Sequence, residues 1–184
     1  MSEETMNQEE TIKALMARVE TLEENAPNDS LCLGVMDGDY DKTMAAFIIA
    51  LGAVAYDMEV DMFFTFWGLS ALRDPKKKVK KDFLGKMFGA MLPKKASKLP
   101  LSKMQMMGMG PPMIQAVMKM HNAKSLDELM KDAGEFGIRI HVCTMAMDVM
   151  GMKKEEMIDY PHIDYVGVGA FVGMFQEAKQ CWFM

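Results

Sequence analysis

A chain of 184 residues, half of them apolar, carries enough material for one substantial core with decorations. Its N-terminus is acidic and polar, which excludes the basic-then-apolar order of a signal peptide, and its longest apolar run, Met44 to Tyr56, is too short to span a bilayer. Three distant cysteines (Cys32, Cys143 and Cys181), without CxxC or metal-ligand spacing, suit a reducing cytoplasm and a thiol used singly, with no metal and no cofactor expected.

In chain order, residues 1–25 read as a helix. Ile12, Leu15, Val19 and Leu22 follow 3-4-3 spacing, an apolar seam two heptads long. Such a seam serves either packing on its own domain or self-association. Pro27 to Asp29 form a linker, so residues 1–29 stand as a unit before a domain at 30–184. Leu31–Met36 reads as a buried strand, Asp37-Gly38-Asp39 as a turn, and Asp41–Tyr56 as a helix apolar on most faces. Met58–Phe66 is a second strand, ending at Trp67-Gly68. Strand–helix–strand order implies a βαβ crossover and a parallel sheet.

Regularity lapses from Leu72 to Lys124. Proline punctuates short helical pieces at Asp82–Leu92 and Met113–His121, so residues 73–124 read as a partly helical insert rich in Lys and Met. Charge is concentrated here. Between Arg73 and Lys103 stand 11 Lys or Arg against Asp74 and Asp82, net +9, whereas the rest carries 10 basic and 24 acidic residues, net −14. The lysines form either a solvated face or the meeting surface for something acidic, such as a neighbouring subunit. Phe83, Leu84, Met87, Phe88, Met91 and Leu92 make an apolar stripe beside them, fit to pack on the core, a sister subunit or a membrane interface. No nucleic-acid motif accompanies the patch. Five of the chain's 24 methionines crowd Met104–Met113. Thioethers suit Cu(I), but Met is also an adaptable filler of cores and binding surfaces, the preferred reading in so Met-rich a chain.

Ser125 and Glu128 make a capping box that opens a helix to about Ala133. The stretch Gly137–Gly151, GIRIHVCTMAMDVMG, then changes period. Ile138, Ile140 and Val142 alternate with Arg139 and His141, as in a strand, while Met145, Val149 and Met152 recur at helical spacing from Thr144 onward. Cys143 therefore sits at the carboxyl end of a parallel strand, where such sheets present their ligands, and before helix N–H groups that favour a thiolate. It is expected to react ahead of Cys32 and Cys181, which fall within strands and read as core. His141 shares the strand-face parity of Cys143 and could assist it, though a packed or solvated His is the commoner state. A short helix near Lys153–Met157, a strand near Tyr165–Val168, a helix from Ala170 to Lys179 and a strand at Cys181–Met184 complete five parallel strands with helices on both faces. Gly167, Gly169 and Gly173 resemble a dinucleotide loop, but the chain ends too soon for the ribose-binding acid, leaving close helix–sheet packing as the expectation.

Three runs, FFTFWGLSALRD (Phe63–Asp74), LPLSKMQMMGMG (Leu99–Gly110) and CTMAMDVMG (Cys143–Gly151), resemble signatures of the DsrE/DsrF-like family, in the branch termed peroxiredoxin-like. The resemblance covers nearly the whole chain from residue 30. It implies a flavodoxin-like three-layer α/β/α domain, a homo-oligomer, and a role in sulfur trafficking between donor and acceptor proteins. Cys143 matches the branch's cysteine, which would carry sulfane sulfur as a persulfide. Trp67, Gly68, Met109, Gly110, Thr144 and His141 are expected to form its pocket, since parallel strands end on one side of the sheet and the insert begins there. Two alternatives belong to other classes: a peroxiredoxin-like thiol redox protein, with Thr144 beside the thiolate but no evident resolving Cys, and a non-catalytic adaptor using the basic insert.

Overall fold

The computed structural model describes residues 3–77, 79–81 and 83–184, with side chains throughout except at 3–7 and 84. In chain order the first elements are α1 (Glu3–Glu24), β1 (Asn28–Val35), α2 (Tyr40–Val54), β2 (Glu59–Phe64) and a 3-10 helix (Phe66–Leu72). Next come α3 (Phe83–Met91), α4 (Gly110–Met120), α5 (Leu126–Glu135), β3 (Arg139–Cys143) and α6 (Thr144–Val149). A 3-10 turn (Lys154–Glu156), β4 (Ile163–Val166), α7 (Val168–Glu177) and β5 (Ala178–Phe183) complete the chain. All strand pairs are parallel, in the order β4-β3-β2-β1-β5.

Period-two alternation decides which residues meet which layer. Leu31, Leu33 and Val35, with Val60, Met62 and Phe64 and with Ile140 and Val142, are at most 3% exposed. They face α2 and α5, which pack on each other, and Phe47 of α2 meets Phe64 at 6.0 Å between ring centroids. Each fully buried side chain of this size contributes about 1.5–3 kcal/mol. On the opposite face α7 crosses from β4 to β5, and Phe171 stacks on Phe63 at 4.6 Å. Helices thus cover both faces, which makes the three-layer α/β/α fold, flavodoxin-like in its layers. The second face is thinly covered: no residue of α7 is fully buried, and Val168, Val172, Phe175, Trp182 and Phe183 stand exposed. Close packing does not explain the glycines there, because a Cβ on Gly167, Gly169 or Gly173 would meet nothing within 4 Å.

Ser125 caps α5 as its sequence dictates. Its Oγ accepts the Glu128 N–H, and the Glu128 carboxylate accepts the Ser125 N–H at 2.8 Å. Ser125→Ala is expected to lower stability by about 1 kcal/mol, read as a shifted denaturant midpoint at unchanged slope.

Between β2 and α5 the chain is held to its own acidic body. Arg73, 6% exposed, donates to the carbonyls of Leu92 and Pro93 and pairs with the buried Glu156 at 3.2 Å. Lys81 meets the other Glu156 oxygen at 2.5 Å. Lys77 reaches Asp159 at 2.6 Å and Lys95 reaches Asp127 at 2.8 Å. Part of the basic surplus is therefore answered within the chain. Lys78 and Asp82, which belong to the Lys run and the expected start of α3, lie outside the described residues, as does the Leu84 side chain. Gly151 has φ +59°, and a Cβ there would lie 2.5 Å from the Cα of Gly85, so glycine is required for α3 to dock beside the turn after α6. Met104, Met106, Met107, Met109 and Met113 are exposed and fill no core. Among the described residues no helix is long and apolar enough to cross a membrane.

Candidate functional site

Cys143 ends β3 and is the N-cap residue of α6, with φ −68° and ψ 110°. The junction forms because the strand alternation stops at Val142 and helical spacing takes over at Thr144. α6 has only six residues, and the Cys143 side chain makes no capping hydrogen bond with it. Thr144 turns its hydroxyl to the Val166 carbonyl of β4 at 3.2 Å, fastening the start of α6 to the neighbouring strand. The 3-10 helix carrying Trp67 and Gly68 packs beside α6. Trp67 is half exposed, whereas Gly68 is buried with its Cα turned against the Val35 carbonyl. Met109 is exposed, and Gly110 is wedged against the Met104 carbonyl and Leu101 within its own segment.

Exposure ranks the thiols contrary to their expected reactivity. Cys143 and Cys32 are each 1% exposed, while Cys181 is half-buried. Two of the three also bind their protons more tightly than an ordinary cysteine. Burial, with Cys181 beside it on β5, pushes the Cys32 thiol up to about 12, and burial also raises Cys181. At neutral pH both are held as thiols, the unreactive form.

The sequence did not reveal the charged cluster upstream on the same face. Register brings Asp61 of β2 opposite Arg139 of β3, and His141 opposite Asp164 of β4. His141 Nε2 lies 2.7 Å from Asp61, and its Nδ1 lies 2.6 Å from Asp164. A carboxylate set against each ring nitrogen favours the protonated imidazole, in which both nitrogens donate. Arg139 grips both Asp61 oxygens at 2.7 and 2.8 Å and Glu59 at 2.9 Å. Burial works to raise Asp61, but the hydrogen bonds from Arg139 and His141 outweigh it and hold the carboxyl at about 2. Burial likewise opposes charge on His141, yet Asp61 and Asp164 prevail and raise it above 6.5. In that protonated form His141 has no lone pair to offer Cys143 as a base. Alternation places His141 beside Cys143, but the signal for the cluster lies in cross-strand register, which one sequence does not display.

This cluster has a pH signature. The raised His141 contributes stability that is fully present below its ordinary 6.5 and lost as pH rises through the folded value. The lowered Asp61 contributes stability present above its ordinary 3.8 and lost as pH falls through about 2. Thermal unfolding should therefore show a decline from about pH 6.5 upward that His141→Asn lacks. Parallel profiles for the two proteins would contradict the charged imidazole.

Three comparisons with known sequences bear on this geometry. A model of the DsrE/DsrF/DrsH-like family matches residues 27–183. The chain is 51% identical over 146 residues to the uncharacterized protein YrkE of Bacillus subtilis, covering 79% of this chain and 90% of that protein. It is 32% identical over 151 residues to the sulfur carrier protein DsrE2 of Allochromatium vinosum, covering 80% and 92% respectively.

Proposed function

This chain belongs to the DsrE/DsrF/DrsH-like family, and from that membership and the site's geometry we propose that it is a sulfur carrier, holding sulfane sulfur as a persulfide on Cys143. The observation that carries the assignment is the contrast among the three thiols. Cys143 alone ends a strand at a helix start, while Cys32 and Cys181 lie inside β1 and β5.

In the loading step the Cys143 thiolate attacks the outer sulfur of a donor protein's persulfide. A new S–S bond forms at Cys143, the donor's S–S bond breaks, and the donor leaves as a thiolate. In the second step an acceptor protein's thiolate attacks that same outer sulfur and releases Cys143 as thiolate. No external oxidant or reductant is consumed. Trp67, Gly68, Met109, Gly110 and Thr144 are the proposed pocket, with His141 a fixed charged strut behind it. The first N–H groups of α6 stabilise the anion. Because Cys143 is 1% exposed, loading requires the 3-10 helix or α6 to part from the strand end.

Incubation with a persulfide donor, followed by peptide mapping, tests the reading. The peptide carrying Cys143 is expected to gain one sulfur, about 32 Da, that dithiothreitol removes. Sulfinic acid adds almost the same mass but resists the reductant, so a resistant gain after peroxide treatment would favour the redox alternative. Loading at Cys181 or Cys32 instead would overturn the assignment.

A further inference from the structure

We propose that α1 pairs in parallel with the α1 of a second copy of this chain, as a short two-stranded coiled coil. The segment precedes residues 27–183, so the family match does not speak to it. A helix laid on its own domain would bury its apolar row. Here Ile12, Leu15, Val19 and Leu22 are 57, 55, 51 and 69% exposed. In heptad terms Ile12 and Val19 occupy a, and Leu15 and Leu22 occupy d. A β-branched residue at a with Leu at d favours two parallel strands.

Charge selects the same orientation. In a parallel pair each g residue faces the e residue of the partner's following heptad, which sets Arg18 against the partner's Glu23 twice by symmetry. An antiparallel pair matching a to d would oppose Arg18 to the partner's Arg18, and Glu9 to the partner's Glu23. Within their own chain, among the described residues, neither Arg18 nor Glu23 has an ion-pair partner. Two apolar heptads are fewer than a permanent coiled coil needs, so the pairing is reversible and responds to concentration.

Position-specific cross-linking of the full chain tests this. Under mild oxidation Leu15→Cys is expected to give a dimer linked through the substituted positions, whereas Ala17→Cys, on the outer f position, gives little. These exposed sites leave the folded domain untouched, which an unchanged melting temperature verifies. Equal linking at both positions overturns the proposal. So does linking of Leu15→Cys only when it is mixed with Val19→Cys, the antiparallel outcome. By sedimentation, Arg18→Glu should weaken self-association about three- to tenfold, and adding Glu23→Arg should restore it. A protein that stays monomeric at every concentration, or an Arg18→Glu effect that Glu23→Arg does not reverse, also rejects the pairing.

Discussion

Serine at position 143 is expected to abolish sulfur loading, while Cys32→Ser and Cys181→Ser load as the wild type does. A hydroxyl cannot form the S–S bond, and its far higher pKa leaves no nucleophile at neutral pH. The exchange replaces one sulfur by an oxygen in a residue without a capping hydrogen bond, so the fold should survive it. Intact mass after donor treatment gives the answer, with the melting temperature as control. A Cys143→Ser protein that still gains reducible sulfur would falsify the carrier assignment and leave an adaptor as the better account.

A second large effect is expected at Glu156. Its carboxylate receives Arg73 on one oxygen and Lys81 on the other, with all three side chains at most 8% exposed. Glu156→Gln leaves two buried cations facing a neutral amide, which should cost about 3–5 kcal/mol, because the desolvation of those charges is no longer compensated. The loss should be local before it is global. Arg73 also ties to the Gly89, Leu92 and Pro93 carbonyls, so limited proteolysis should open the stretch around α3 first. Lys77→Ala provides the contrast: its partner Asp159 is 90% exposed, and such a pair contributes under about 1 kcal/mol. Equal losses for the two variants would show that burial does not set the worth of these pairs.

Local rules made much of this architecture legible. The β3–α6 junction followed from a change of period within fifteen residues, and the capping box at Ser125 from two residues three apart. β1, α2 and β2 followed from apolar runs between turn residues. What stayed hidden depends on partners distant in sequence. Arg73 and Glu156 are 83 positions apart, and Asp61 and His141 are 80 apart. No periodicity announces such pairs, and a surplus of lysine looks alike whether it meets solvent, a partner or its own chain. The same limit hid the burial of Cys143. A strand end predicts position, but its accessibility depends on how segments distant in sequence settle around it.

The position of β1 between β2 and β5 bears on how the molecule is made. β2 lies a short crossover away, but β5 is separated from β1 by more than 140 residues, and the Met184 N–H and carbonyl close the ladder on Gly34 and Met36. During synthesis one flank of β1 therefore waits, its backbone groups unpaired, until the strand made last of the five emerges. Contacts of such separation form slowly, and an open apolar edge invites the wrong partner. Expression yield should then be limited by events at β5. A chaperone that shields β1 until β5 emerges would help the chain more than a stronger core would.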